Sequence, residues 1–190
     1  MILPIRSFGD PVLRKKGQDI DKDYPNLKEL IENMYETMYS AHGIGLAAPQ
    51  IGLDIRLFCV DVRPLAEDED YADIAEELKN FRKVFINARI LEESGPEWKF
   101  NEGCLSIPDV REDVKRQETI LIEYFDENFV KHTETFSDIR ARVIQHEYDH
   151  IEGILFTDHL SSLKKKLVKG KLSRIMQGDV NVDYKMRFPK

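Results

Sequence analysis

Six residues constrain this chain more than any others: Gln145-His146-Glu147-Tyr148-Asp149-His150, an H-E-x-x-H pattern. The residues around it predict a helix from about Asp138 to Glu152, with Ser137 as N-cap, Asp138 in the first turn and Gly153 just past the end. At about 100° per residue, His146 and His150 lie about 40° apart on one helix face, so both imidazoles reach one cation. Glu147 is turned about 100° from His146, beside such a cation without binding it, where a carboxylate takes a proton from an activated water. Ile139, Val143 and Ile154 share the histidines' stripe, so the imidazoles point into protein. Two core histidines satisfied by hydrogen bonds are the alternative reading of that stripe. Either way, the fold must bury this helix face.

The chain has 190 residues, enough for one domain with a real core. Its 28 Lys plus Arg against 35 Asp plus Glu leave a formal charge of −7 and a pI near 5.3. That balance excludes a general nucleic-acid coat and gives no reason to expect a DNA partner. The longest apolar runs, such as Leu57-Phe58-Cys59-Val60, are far short of the roughly 18 residues that span a bilayer, so no membrane association is expected. The N-terminus does not read as a secretory signal, and the expected location is cytoplasmic. With only Cys59 and Cys104, a disulfide framework is not expected. Cys59 reads as a buried core thiol.

Apolar positions at helical spacing predict a first helix from Leu27 to Ser40, with Asn26 as N-cap. The loop His42 to Gly52 carries three glycines and a proline, which forbid a regular helix or central strand, yet it is otherwise almost wholly apolar and must pack on something. Ile55 to Asp61 reads as a buried strand. The acidic stretch from Glu67 to Glu77 reads as an exposed loop with a short helix near Ile74 to Leu78. Strands are expected at Lys83 to Asn87, at Ile90 to Glu92, around Trp98, at Thr119 to Phe125 and at Phe129 to Phe136, the last two joined by a turn at Asp126-Glu127-Asn128. Strands followed by a helix indicate an α+β fold. A basic helix from Ser162 to Met176 and a frayed tail over 178–190 complete the single domain 1–190.

A third ligand comes from Cys104 in Asn101-Glu102-Gly103-Cys104-Leu105-Ser106-Ile107-Pro108, where Gly103 and Pro108 present the thiol on a tight segment. Taken alone, Cys104 fits a structural or nucleophilic thiol equally well. Two imidazoles and a thiolate leave a fourth tetrahedral position open, which marks a catalytic site; by residue type alone the donors suit zinc. His159 falls outside the spacing of a downstream third ligand and reads as a surface or loop residue. Asp149 reads as a structural acid that pairs with an arginine.

Three segments, Gly43-Ile44-Gly45-Leu46-Ala47-Ala48-Pro49-Gln50, Glu102-Gly103-Cys104-Leu105-Ser106 and Gln145 to His150, closely resemble the signature motifs of peptide deformylases, in order. The resemblance runs from roughly Ile5 to Leu160. It implies mixed, mainly antiparallel sheets around a central metal-binding helix. It also implies removal of the N-formyl group from formyl-methionyl nascent peptides with release of formate. The cation would be Fe2+, replaceable by Zn2+, Ni2+ or Co2+, and held by Cys104, His146 and His150. Glu147 would act as base and then acid, with Gln50 and the Leu105 N–H meeting the oxyanion. Ile44, Gly45 and Gly103 would contact the substrate backbone, Glu102 and Arg111 would shape the cleft, and Ile139 and Val143 would line the methionine pocket, although both are equally ordinary core positions. The rival reading is an H-E-x-x-H metallopeptidase that cleaves internal peptide bonds; a non-catalytic binding protein is the other. The six basic side chains from Lys164 to Arg174 raise the expectation of ribosome contact, against a plain solvated helix.

Overall fold

The computed structural model describes residues 1–189. In chain order the elements are β1 (Ile5–Arg6), α1 (Leu27–Ser40), β2 (Gly45–Ala47), β3 (Leu57–Asp61), α2 (Ala75–Lys79), β4 (Arg82–Cys104), β5 (Ile107–Phe125), β6 (Lys131–Phe136), α3 (Asp138–Ile151), α4 (Ser162–Met176) and β7 (Met186–Arg187). Strands β2 to β6 form an antiparallel sheet in sequence order, and β1 pairs with β7 in parallel. The architecture is therefore α+β, with mixed but mainly antiparallel strands around α3.

β3 is apolar at every position from Leu57 to Val60 because both faces of the sheet are covered. Phe58 and Val60 point into the cluster that includes Ile139, Val143 and Ile144 of α3, while Leu57 and Cys59 point into the cluster with Ile31, Met34 and Met38 of α1. Cys59 is fully buried, as its setting in the sequence suggested, and donates to the Leu46 carbonyl at 3.6 Å. A third cluster joins Ile107, Val110 and Val114 of β5 to Leu155 and Phe156, with Val168 and Ile175 of α4 closing over it. No helix among the described residues is long and apolar enough to cross a membrane.

Several local expectations are corrected. The His42 to Gly52 loop contains a short strand, β2, and a 3₁₀ turn at Ala48–Ile51; the strand is tolerated because it lies at the sheet edge, with Pro49 placed inside the turn. The strands expected separately at 83–87, at 90–92 and around Trp98 are one strand, β4, which bends at register shifts near Ile86/Arg89, Ile90/Glu92 and Ser94/Glu97. Its partner β5 begins at Ile107, well before Thr119, and β6 begins at Lys131, since Asp126 Oδ1 accepts the N–H groups of Asn128 and Val130 and extends the turn. The short helix expected near Ile74 to Leu78 is present as α2, but the acidic segment before it is a run of 3₁₀ turns from Arg63, held down by Leu65, Tyr71, Ile74 and the buried Leu78.

The capping details also differ. Asn26 sits in the left-handed region at φ 54° and makes no side-chain cap. Ser137 makes none either, because its hydroxyl bonds Thr119 Oγ1 at 2.9 Å; Asp138 instead accepts the Arg140 N–H at 3.0 Å. The far end of α3 follows expectation. Gly153 has φ 75°, and the Ile154 N–H bonds the Asp149 carbonyl at 2.9 Å, closing the helix in the left-handed turn that glycine adopts without penalty. The frayed tail expected over 178–190 is instead tied down by the two-residue strand β7: Ile5 N–H bonds Lys185 O at 2.9 Å and Ser7 N–H bonds Arg187 O at 3.0 Å. Lys190 lies outside the described residues.

Candidate metal centre and its cleft

α3 carries His146 and His150 one turn apart, their rings 5.2 Å between centroids, in T-shaped contact. Cys104 ends β4, immediately before the Leu105-Ser106 turn that leads into β5. The sheet brings that turn to α3, so that the donor atoms of Cys104, His146 and His150 all lie within 4.8 Å of one another. Cys104 Sγ stands 3.3 Å from His150 Nε2. One sulfur and two imidazole nitrogens converging in a largely buried site form a donor set that suits a divalent transition metal.

Glu102 orients the site. Its carboxylate contacts His146 Nδ1 at 3.0 Å and accepts from Arg116 Nε at 2.7 Å and Arg142 Nη1 at 3.0 Å. The contact at Nδ1 leaves Nε2 of that ring to face the other ligand atoms. Arg116 is anchored at its far end by Asp149, 2.8 Å away, and Asp149 also meets His159 Nε2 at 2.8 Å. Arg116 is thus the arginine that Asp149 pairs with, and His159 belongs to this outer chain, away from the three converging donors. Burial works against a proton on His146, yet the hydrogen bonds with Cys104 and Glu102 hold it well above the ordinary histidine range. Burial and the neighbouring His146 push His150 the other way, to about 3, which keeps its ring neutral.

Glu147 is 4% exposed, and its Oε2 is buried without a hydrogen-bond partner among the described residues. Burial pushes its carboxyl up to about 7; His146 opposes the shift and Glu102 adds to it. The space for the carboxylate comes from Gly45, where any Cβ would run into it, lying 2.8 Å from Glu147 Cδ. An alanine there would displace the carboxylate. Gln50, 1% exposed, is locked by its own loop: Oε1 accepts the Ala47 N–H at 2.9 Å, while Nε2 reaches Ser106 Oγ at 3.2 Å and Cys104 Sγ at 3.5 Å.

These groups border a cleft of about 790 Å³, whose walls include Ile44, Gly45, Gly103, Leu105, Arg111 and Val143. Arg111 is held at the rim by Asn101, through Nε to the side-chain oxygen at 2.9 Å and Nη2 to the carbonyl at 2.6 Å. Glu102 borders the cleft, but its carboxylate is taken up by the arginines and His146. Ile139 does not reach the cleft: it is 1% exposed and packs within the sheet–α3 cluster, so of the pair considered for a side-chain pocket only Val143 is on the wall.

Sequence reasoning missed Arg116, which holds Glu102, and it missed Arg142 and the C-terminal residues Asn181 to Tyr184 on the cleft wall. A signal for Arg142 was present, because it lies four residues before His146 on the same stripe, and a buried guanidinium requires a carboxylate. Its carboxylate is Glu102, and its guanidinium also stacks over Trp98, 4.4 Å from the ring centre.

The model of the family described as polypeptide deformylase matches residues 2–166. The peptide deformylase of Christiangramia forsetii is 65% identical over 190 residues, covering 100% of this chain and 97% of its own. That of Flavobacterium johnsoniae is 62% identical over 189 residues, covering 99% and 96%. Among solved structures, a peptide deformylase from Legionella pneumophila superposes with TM-score 0.79 at 34% identity, over 94% of this chain and 98% of that one. The Thermotoga maritima peptide deformylase does so with TM-score 0.73 at 38% identity, over 85% and 99%. With family match, relatives and fold in agreement over nearly the full length, the chain belongs to the polypeptide deformylase family.

Proposed function

We infer that this protein is a hydrolase that removes the N-formyl group from formyl-methionyl nascent peptides, releasing formate and a free amine. The observation that carries the reading is the buried Glu147 carboxylate, its Oε2 without a hydrogen-bond partner among the described residues, on a cleft that is also lined by Cys104 and His146 of the three converging ligands. Cys104, His146 and His150 would hold a divalent cation, which we propose is Fe2+; Zn2+, Ni2+ or Co2+ suit the same donors. When bound, that cation supplies Lewis acidity and a lowered pKa for water.

The chain's own groups do the rest. Glu147 takes the proton of the attacking water as the new C–O bond forms at the formyl carbon. Gln50 Nε2 and the Leu105 N–H donate to the oxyanion as charge develops. Glu147 then returns its proton to the leaving nitrogen as the C–N bond breaks, so one carboxylate serves in both directions. Gly45, Ile44 and Gly103 meet the substrate backbone, Arg111 bounds the cleft rim, and Val143 contributes to the pocket for the methionine side chain. The metallopeptidase alternative is not favoured, because the third donor is the upstream Cys104 while His159 is engaged with Asp149. Protein purified without oxygen should release formate from a formyl-Met tripeptide; absence of formate with iron, nickel or cobalt restored would overturn the reading.

We propose that the protein acts in the cytoplasm, as a single domain, on chains leaving the ribosome. The basic side chains of α4 support contact with ribosomal RNA, since Lys165, Lys166, Lys169, Lys171 and Arg174 are all exposed. Replacing Lys165, Lys166 and Lys169 with glutamate should abolish salt-dependent co-sedimentation with ribosomes. Unchanged co-sedimentation would remove the ribosome from the list of partners.

A further inference from the structure

The turn between β4 and β5 puts Leu105 on the cleft wall, and its geometry depends on segments outside the hairpin. Cys104 pairs with Ile107 across the turn, leaving Leu105 and Ser106 as its two linking residues. The Ser106 carbonyl accepts the Phe8 N–H at 2.8 Å, and the Ser106 hydroxyl accepts from Gln50. The Leu105 carbonyl accepts the Tyr184 hydroxyl at 2.8 Å. Each linking residue is therefore held by a group from elsewhere in the chain, and for Leu105 that group belongs to the C-terminal segment.

That segment is itself fixed at both ends. Behind it, the turn that closes α4 is tied by the Gly178 N–H to Ile175 O and the Asp179 N–H to Arg174 O, both at 3.0 Å. Ahead of it, β7 pairs with β1. Between these points Asn181, Val182, Asp183 and Tyr184 form one wall of the cleft. Tyr184 is half-buried against the α1 cluster, and Asp183 stands at the rim with His42 Nε2 3.4 Å from its carboxylate, both side chains about three-quarters exposed. All four residues lie beyond the 2–166 span that matches the family model.

We propose that Tyr184 is a positioning residue for deformylation, holding the Leu105 backbone in place by its carbonyl, and that Asn181 to Asp183 are the wall met by peptide residues beyond the formylated one. The proposal rests on the deformylase reading above. The two roles separate chemically. Tyr184 acts on the turn that serves the formyl end, so its effect is independent of peptide length. Asp183 places a negative charge at the rim, so its effect depends on the charge of the downstream side chain and fades with salt.

Tyr184→Phe keeps the ring and removes the hydroxyl. A neutral hydrogen bond of this kind is worth about a three- to tenfold change in an equilibrium or rate. The expected result is a fall of that size in kcat at unchanged KM, equal for formyl-Met-amide and a formyl-Met tripeptide, with faster amide hydrogen exchange at Leu105 to Ile107 and an unchanged overall circular dichroism spectrum. An unchanged kcat, or a rise in KM alone, overturns the positioning role, because the hydroxyl would then serve packing or ground-state binding only. Asp183→Lys is expected to shift the ratio of kcat/KM for formyl-Met-Ala-Lys over formyl-Met-Ala-Glu downward by about two- to fivefold at low salt. A ratio equal to that of the unaltered protein overturns the wall. Should the unaltered protein release no formate, the deformylase reading fails instead, while the exchange measurement still reports whether Tyr184 holds the turn.

Discussion

Glu147→Gln is expected to lower kcat for formyl-peptide hydrolysis by about 10²–10⁴-fold, the usual contribution of a positioned general base, while the cation stays bound. Glutamine matches the shape of the side chain that fits against Gly45, so the ligands on either side keep their places. It cannot accept the proton of a water. The fold should not suffer, because Glu147 Oε2 has no hydrogen-bond partner among the described residues and its burial already disfavours the charged form. The melting temperature should therefore hold or rise. Formate release and bound-metal content measured on the same preparation separate the two effects. A variant that loses metal together with activity would make Glu147 a structural support of the centre, and one with near-normal kcat would assign the proton transfer to another group.

The second large effect is expected at Glu102→Gln, and it falls on stability and metal affinity together. Glu102 is 4% exposed and neutralises two guanidinium groups, those of Arg116 and Arg142, while holding His146 Nδ1. Breaking a buried ion pair by removing one charge costs about 3–5 kcal/mol, since the remaining charge stays buried. The lower part of that range applies, because Arg116 keeps Asp149, and Arg142 keeps the carbonyls of Val114 and Trp98. Loss of the carboxylate behind a ligating histidine lowers metal affinity by about 10–100-fold. Urea unfolding of the metal-free protein isolates the first effect, and competition with a chelator isolates the second. Stability and affinity both equal to those of the unaltered protein would mean that the Glu102 network neither supports the fold nor orients His146.

The helix that carries the centre was legible because its information is local. A rotation of about 100° per residue sets His146 and His150 on one face with Glu147 to the side whatever surrounds them, and Gly153 ends the helix by a conformation that other residues resist. β3 was legible for a similar reason, its unbroken apolar run matching burial on both faces. β4 and β5 were not. Their register shifts near Ala88, Leu91 and Gly95-Pro96 break the alternation by which a strand is recognised, so one long strand read as several short ones. The first half of β5 places the charged Arg116 inward, where the pattern called for an apolar residue. The tail beyond Gly178 is polar in composition, and its order comes from pairing with β1 at the opposite end of the chain.

The sequence by itself determined the local chemistry of this protein: two imidazoles and a carboxylate on one helix, a thiol on a tight turn, and an apolar glycine loop ending at Gln50. Tertiary structure alone decided which of these meet. It brought Cys104 to within 3.3 Å of a histidine 46 residues away and set the Gln50 amide against the Cys104 turn. It also drew Glu102 to two arginines and placed Tyr184 on the Leu105 carbonyl. The reason is physical. Helix geometry repeats with backbone dihedrals that each residue carries with it, whereas contacts between distant segments depend on strand register and on how buried charges find partners, which no short stretch of sequence encodes.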